Sequence, residues 1–213
     1  MQLDCGFPAW CFDDLFDENT LARCLAEFPD PEDSRWETFH GGHEKGKQQG
    51  GPACWGPVTT AVLLELMSPK WCQQVAQLVG SRVLVADIVG GGMHQSGPGA
   101  HLDTHVDFDR HPDTGWRRAV NFLVYLNHGW REEWGGQLEL GTKPLRIAPE
   151  FGRTVVFRCS DTSWHGHPEP VAPGHIRRSV ACYYYDPLDV PTGFGHSTVW
   201  KEDAWPTPAT SSP

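Results

Sequence analysis

The run AHLDTHVDF places histidine and aspartate residues two positions apart. Side chains at that spacing lie on the same face of a β-strand, so His105 and Asp107 can direct an imidazole nitrogen and a carboxylate oxygen to one point. A third donor from the later run SWHGHPEP would complete a set of two histidines and one carboxylate. This set binds iron(II) and leaves coordination positions open for reactants. The sequence therefore predicts a metal centre built from these two runs.

Both runs contain a competing choice of ligands. His101 and Asp103 form a second histidine–aspartate pair at the same spacing and on the same predicted face as His105. In the later run, two histidines, His165 and His167, also share one face. The period of two residues cannot separate these alternatives.

The elements that must position these residues are short β-rich runs, which dominate the chain from position 82 onward. Clusters of Gly, Pro, Asp and Asn separate the runs, and no helical pattern lies between them. This texture predicts a mainly β jelly roll or cupin-like barrel and argues against a parallel, doubly wound sheet. The runs are RVLVADIV, AHLDTHVDF, RAVNFLVYLN, GQLELG, RTVVFRC and RRSVACYYY.

The first third of the chain has a different character. Apolar side chains at helical spacing predict helices over 17–28, 58–67 and 71–79. The polar, glycine-rich stretch 40–51 is expected to be a mobile loop, with its histidines and lysines solvated or at the rim of a pocket. The Gly-rich run 89–99 is expected to form a turn into the first core strand. We predict one domain over 1–186, with a core at about 82–186, and an irregular tail over 187–213 in which Trp200 and Trp205 dock while the residues after Trp205 are disordered.

Composition limits the partners and the compartment. The 213 residues carry a net charge of -10, from 17 Lys and Arg against 27 Asp and Glu, which disfavours nucleic acids and anionic membranes as partners. Seven cysteines without a CxxC pair fit neither a disulfide framework nor a zinc knuckle, so reduced thiols are expected. The start of the chain does not resemble a secretion signal and no long apolar run is present, so a cytoplasmic protein is expected. The oligomeric state stays open.

Several features in a fixed order carry a resemblance to a known family. Over about 83–186 the chain resembles the prolyl-4-hydroxylase-like branch of the iron(II)- and 2-oxoglutarate-dependent oxygenases. The resemblance implies a double-stranded β-helix flanked by N-terminal helices, with iron(II), 2-oxoglutarate and O2 as cofactor and co-substrates. It further implies hydroxylation of a C–H bond with release of succinate and CO2. The matching runs are LDTHVD, RRAVNFLVYLN, WGGQLEL, RTVVF, SWHGHPEPV and RRSVACYYY.

The family pattern also selects among the candidate ligands. It places a bulky apolar residue three positions before the first ligand, and Leu102 occupies that position for His105. It places the last ligand eight positions after a strand-ending Phe, which leads from Phe157 to His165. The resemblance therefore implies His105, Asp107 and His165 as the catalytic iron ligands.

Other residues are assigned to the co-substrate and the substrate. A planar guanidinium binds a carboxylate through two hydrogen bonds, and Arg177 and Arg178 are expected on opposite faces of the last strand. Arg178 shares its face with Val180, Cys182 and Tyr184, which were interpreted as an inward-facing set. Arg177 is then expected at the surface. The predicted 2-oxoglutarate residues are Arg178, Tyr125 and Gln95, and the predicted substrate-facing residues are His94, His167 and Tyr184.

The substrate itself is only broadly indicated. A short chain without a separate peptide-binding domain favours a small-molecule or amino-acid-type substrate. The alternatives are hydroxylation of a peptidyl proline or another protein residue, and a cupin-like metal-binding protein or metal-dependent hydrolase without 2-oxoglutarate chemistry.

Overall fold

The computed structural model describes residues 1–189 and 195–202. Three α-helices lie in the first third of the chain, and β-strands occupy most of the remainder. The helices are α1 (Glu18–Ala26), α2 (Pro57–Leu66) and α3 (Pro69–Val79), and short 3-10 helices span Pro52–Cys54 and Glu132–Trp134. The strands are β1 (Gln2–Asp4), β2 (Pro8–Phe12), β3 (Glu37–His40), β4 (Glu44–Gly50), β5 (Val85–Val106), β6 (Arg117–Tyr125), β7 (Leu138–Leu140), β8 (Leu145–Ile147), β9 (Thr154–Arg158), β10 (His165–His167), β11 (Arg177–Asp186) and β12 (Val199–Trp200).

The strands form one antiparallel, nearly closed sheet in the order β1-β2-β9-β6-β11-β5-β10-β7-β8. The long strand β5 joins its two halves, because it pairs with β11 through Val85–Ser96 and with β10 through Leu102 and His105. Register shifts along β5 let it bend between these partners. This mainly β, jelly-roll architecture confirms the predicted double-stranded β-helix.

The three helices cover one face of the sheet. Residues Leu21, Leu63 and Val75 pack on this face in a buried cluster with side chains from β6, β9 and β11. The helix starts follow from local chemistry: the Asp17 side chain caps α1 by accepting from the Thr20 amide at 2.9 Å, and Ser68 caps α3. The three predicted helices are therefore confirmed, with shifts of one or two residues at most ends.

Strand β11 is buried on both faces, which determines the site. Its even-numbered apolar residues Val180, Cys182 and Tyr184 pack against the helices. The odd-numbered residues turn to the interior of the barrel, where Arg177 and Ser179 line a pocket. The interpretation of Val180, Cys182 and Tyr184 as facing the barrel interior was wrong. The helices bury the face of β11 that carries these residues, and the barrel interior buries the opposite face equally well.

Two segments expected to be irregular are strands. The stretch 40–51, predicted as a mobile loop, contains the whole of β4, which pairs with β5 from Glu44↔Leu102 to Gly50↔Met93. It also pairs with β3 on its other side, and this backbone pairing on both sides forms the strand without an apolar period. The Gly-rich run 89–99 belongs to β5 and is not a turn. At Gly92, where φ is 96°, a Cβ would lie 2.6 Å from the Gly50 carbonyl oxygen, so glycine permits the close pairing.

The ends of the chain add strands that the sequence analysis did not contain. Strands β1 and β2 pair with each other, and β2 pairs with β9. In the tail, predicted to be irregular, the short β12 pairs with β5 at Val106 and His105, and Trp200 docks there as expected. Trp205 and the predicted disordered end lie outside the described residues.

The cysteines and the helices bear on the expected compartment and on membranes as partners. All seven cysteines are free thiols, and five of them are buried. None of the helices in 1–189 and 195–202 is long and apolar enough to cross a bilayer.

Candidate metal centre and active-site pocket

Three donor side chains converge where β5 meets β10. His105 lies directly opposite His165 in the pairing of these strands, and Asp107 follows the end of β5. The Nε2 atom of His105 lies 3.6 Å from Asp107 Oδ1, and that of His165 lies 3.3 Å from Asp107 Oδ2. The ligand atoms of all three residues lie within 4.8 Å of one another. Two imidazoles and one carboxylate on a single point form a candidate site for iron(II).

The hydrogen bonds of both histidines orient them for metal binding. His105 Nδ1 lies 2.8 Å from the Asp103 carbonyl oxygen, and His165 Nδ1 lies 2.9 Å from that of Ser163. A carbonyl only accepts, so each Nδ1 carries a proton, and the Nε2 atoms are the ones that face Asp107 and can bind a metal. Fixing the tautomer in this way is what outer partners of metal ligands do. The donor set therefore fits a bound divalent cation.

Electrostatics favour the protonation states that bind metal. Burial, reinforced by the neighbouring His165, lowers the pKa of His105 and keeps it neutral. Burial alone would raise the pKa of Asp107, but the Arg118 guanidinium and the two imidazoles hold it well below its usual range. Neutral imidazole and ionised carboxylate are the forms that coordinate a metal.

Arg118 and Asn121 of β6 hold Asp107 in place. Asn121 Nδ2 donates to Asp107 Oδ2 at 2.7 Å, and Arg118 Nη2 lies 3.2 Å from the same oxygen. Arg118 in turn donates to Asn121 Oδ1 at 3.1 and 2.7 Å, with its guanidinium 3.7 Å from the Tyr183 ring centroid. This group was not predicted from the sequence, because residues three apart leave opposite faces of a regular strand and only the register shift near Arg118 brings them together.

We expect Arg118→Gln to weaken metal binding by about 10–100-fold, the usual effect of removing a partner that orients a ligand. The guanidinium that fixes Asp107 is lost, while the metal ligands themselves remain. The measurement is the dissociation constant of Mn²⁺, taken as an iron(II) substitute, by electron paramagnetic resonance of the free ion. Arg117→Gln is the matched control, since Arg117 is the adjacent residue and pairs with Asp189 outside the site. Equal losses in the two variants would contradict the role given to Arg118.

A register shift gives the two histidine–aspartate pairs different surroundings. Along β5, Leu102 lies opposite His167 and His105 lies opposite His165, so three residues of β5 span two of β10. Leu102 and His105 consequently both line the pocket, although they are three positions apart. Asp103 turns outward instead, where its Oδ2 lies 3.2 Å from His43 Nδ1.

Arg177, and not Arg178, reaches the pocket. The Arg177 guanidinium is buried, donates to the Tyr125 hydroxyl at 3.1 Å and donates to the Gly136 carbonyl at 2.7 Å. Arg178 is half-buried on the helical side, 5.9 Å from the Phe28 ring centroid. The prediction that Arg178 lines the site and Arg177 lies at the surface was therefore wrong, because the face of β11 that carries Arg178 packs against the helices.

Two further predicted site residues lie away from the pocket. Gln95 is buried on the opposite face of β5 and donates to Gln48 Oε1 at 2.8 Å. Tyr184 donates its hydroxyl to the Leu66 carbonyl at 2.9 Å, beneath α2. The face that each shares with Arg178 is turned away from the barrel interior, so neither lines the pocket. Tyr183 lines it instead and was missed, because the tyrosines of β11 alternate between faces.

The predicted substrate-facing residues His94 and His167 do line the pocket, together with Lys47. Burial, followed by the charges of Lys47 and Arg177, lowers the pKa of His94 to about 3 and that of His167 well below its usual range. Both rings are therefore neutral. Within the described part of the chain, His94 Nε2 and His167 Nδ1 are buried without a hydrogen-bond partner. Buried polar atoms are normally paired, so these two indicate the position of a polar ligand.

Comparison with known proteins relates these features to a family. Residues 91–185 match the family model of the 2OG-Fe(II) oxygenase superfamily. Among curated proteins, no sequence matches this chain.

Solved structures share the fold. One is a Pseudomonas putida prolyl-4-hydroxylase, with a TM-score of 0.62 and 20% identity over 84% of this chain and 93% of that chain. Another is a prolyl hydroxylase from Trichoplax adhaerens in complex with a hypoxia inducible factor peptide fragment, with a TM-score of 0.59 and 17% identity over 85% of each chain. A viral collagen prolyl hydroxylase from Paramecium Bursaria Chlorella virus-1 has a TM-score of 0.51 and 15% identity over 83% and 94%. At these identities the likeness establishes the fold alone. The matched residues 91–185 lie within this shared fold, so the comparisons agree with the predicted similarity to the 2OG-Fe(II) oxygenases, which use iron(II), 2-oxoglutarate and O2.

Proposed function

We propose that this chain is a hydroxylase in which His105, Asp107 and His165 bind iron(II) and Arg177 binds the far carboxylate of 2-oxoglutarate. The observation that carries the proposal is the convergence of the three donors in the same pocket as the buried Arg177. When bound, iron and 2-oxoglutarate supply the activation of O2 that hydroxylation of a C–H bond requires, with succinate and CO2 as by-products. The chain's own residues bind, orient and exclude water.

Arg177 and Tyr125 are suited to a dicarboxylate co-substrate. Two hydrogen bonds, to Gly136 and Tyr125, fix the guanidinium, and its remaining N–H groups are available to a carboxylate. Because the pair is buried, little water competes for the anion, which strengthens a charge-assisted hydrogen bond. The Tyr125 hydroxyl, whose pKa burial raises, stays protonated and donates a second hydrogen bond.

For the substrate, we propose a small molecule or an amino-acid-type compound that carries a carboxylate. Lys47, whose Nζ lies 3.7 Å from Glu44 Oε2, provides a further cation at the pocket, and the unpartnered nitrogens of His94 and His167 provide polar contacts near it. With one end of 2-oxoglutarate on the metal and the other on Arg177, these three groups are left for the substrate. We further propose a reducing, cytoplasmic location, which the free thiols support.

A peptidyl-prolyl substrate is the second candidate. It is favoured by the prolyl hydroxylases among the structures of similar fold, one of which is described in complex with a peptide fragment. A peptide presents an apolar proline without a carboxylate at the reacting residue, so Lys47 would contribute little to its binding. This difference separates the two candidates.

The test is a panel of compounds measured for the succinate formed above the substrate-free rate. We expect free amino acids and small carboxylates to stimulate turnover, and Lys47→Met to raise KM for the active compound about 10–100-fold, as the loss of one charge-assisted hydrogen bond of about 1.5–3 kcal/mol implies. Lys45→Met is the matched control, because Lys45 is the exposed lysine two positions earlier on β4. Stimulation by proline-containing peptides only, with no effect of Lys47→Met, would instead support the second candidate.

A further inference from the structure

A second group of metal-binding side chains lies outside the pocket, on the outward side of β5. It consists of His43, in the turn between β3 and β4, Asp103 of β5, and Glu202, which follows β12. Their donor atoms all lie within 4.8 Å of one another, and His43 Nδ1 lies 3.2 Å from Asp103 Oδ2. Three separate parts of the chain therefore bring one donor each to this point.

We propose that His43, Asp103 and Glu202 form a second divalent-cation site, and that a cation bound there fastens β12 across the candidate iron site. One imidazole nitrogen and two carboxylate oxygens form a borderline set that suits Mn²⁺ or Zn²⁺. Two carboxylates neutralise the charge of a dication, and the protein's net charge of -10 favours cations at its surface. His43 and Asp103 are partly buried, whereas Glu202 is exposed, so the site is open to solution.

The location of Glu202 gives the site a consequence for the pocket. Strand β12 has only two residues, Val199 and Trp200, and pairs with Val106 and His105 of β5. The next residue, Lys201, donates its amide to the Thr104 carbonyl at 2.9 Å. Such a short edge strand is weakly held by its own pairing. A cation that joins Glu202 to His43 and Asp103 adds coordinate bonds one residue beyond it.

Trp200 is the side chain that this fastening positions. Its ring stacks on His43, with centroids 4.8 Å apart, and lies 5.2 Å from the ring of the candidate iron ligand His105. Trp200 thus touches one residue of each group. Occupancy of this second cation site therefore determines how firmly Trp200 covers His105.

The first measurement is the number of Mn²⁺ ions bound per chain, counted from the free-ion signal in electron paramagnetic resonance. Mn²⁺ is chosen because it prefers oxygen and nitrogen donors and so avoids the seven thiols. We expect two sites in the full chain and one in the His105→Ala/His165→Ala variant. In that double variant, Asp103→Asn and Glu202→Gln should each weaken the remaining site at least 10-fold. Glu44→Gln should not, because Glu44 follows His43 but is not among the donors.

A second measurement tests whether the bound cation holds β12 in place. Trypsin cleaves after Lys201 and releases residues 202–213. Mass spectrometry detects the remaining chain, 1–201, by its lower mass. We expect Mn²⁺ to slow this cleavage several-fold in the full chain and to have no effect in Asp103→Asn. Asp103→Asn is used here because Glu202→Gln alters the cleavage sequence directly.

The proposal is overturned if the His105→Ala/His165→Ala variant binds no Mn²⁺, or if its remaining site survives both Asp103→Asn and Glu202→Gln. Should the double variant fail to fold, the comparison moves to the otherwise unaltered chain. There, exposed Glu202→Gln should reduce two bound ions to one, and two ions in that variant would contradict the proposal. Neither result depends on turnover, so failure of this site is distinguishable from failure of the proposed hydroxylase.

Discussion

His105→Ala is expected to abolish the weak visible absorption band that iron(II) and 2-oxoglutarate give together under anaerobic conditions. That band arises only when 2-oxoglutarate chelates iron held by the protein, and His105 supplies one of the three candidate ligand atoms. We also expect 2-oxoglutarate turnover to fall by more than about 100-fold. Removal of a residue that only orients a metal ligand lowers activity by about 10–100-fold, and removal of the ligand itself should lower it further. The measurements are anaerobic difference spectroscopy and succinate formation.

His101→Ala is the matched control for this variant. His101 belongs to the competing histidine–aspartate pair on the same strand, and its Nε2 lies 4.0 Å from the outward-facing Asp103. It should keep the band and the turnover. A band that survives His105→Ala but disappears in His101→Ala would move the metal centre to the other pair. Absence of a band in the unaltered chain would favour a metal-binding protein without 2-oxoglutarate chemistry.

The donors of the candidate metal centre could be predicted because their chemistry and their spacing agree. An imidazole and a carboxylate two positions apart on a strand of a barrel are well placed to bind a metal. Successive β-rich runs without helices between them are compatible with few folds. The choice between the two pairs was different. It depends on the register shift between Leu102 and His105, where β5 has three residues against two of β10. A shift of this kind reverses the face of everything beyond it, and alternation alone does not reveal it, so His105 was selected only through the family pattern that Leu102 matches.

The errors on β11 and β4 have a related origin. Alternation identifies the interior only when one face of a strand is polar, and β11 is buried on both faces, by the helices and by the barrel. The apolar face was interpreted as the interior, although the interior of an enzyme is where polar residues such as Arg177 and Ser179 are needed. In β4, polar residues with no apolar period were interpreted as a loop, and Lys47 was expected at the rim of the pocket rather than in its lining.

Arg177→Ala is expected to raise the 2-oxoglutarate concentration needed for half-maximal turnover by about 100-fold or more. Arg177 is the buried cation of the pocket, and a charge-assisted hydrogen bond is worth about 1.5–3 kcal/mol. Two such bonds to one carboxylate sum to about 3–6 kcal/mol, and every 1.4 kcal/mol corresponds to a factor of about 10. The measurement is the dependence of succinate formation on 2-oxoglutarate concentration, with thermal unfolding recorded to confirm that the variant is folded.

Arg178→Ala and Tyr125→Phe make this expectation specific. Arg178 is the adjacent arginine on the helical face, so its removal should change the 2-oxoglutarate requirement less than about threefold, within the range of a distant surface contact. Tyr125→Phe removes one neutral hydrogen bond of about 0.5–1.5 kcal/mol, so the requirement should rise by about 2–12-fold. The order Arg177 above Tyr125 above Arg178 follows from charge and from the faces of β11. If Arg178→Ala had the largest effect, the side chains of β11 would have to point the other way, with Arg178 instead of Arg177 as the cation that binds the carboxylate.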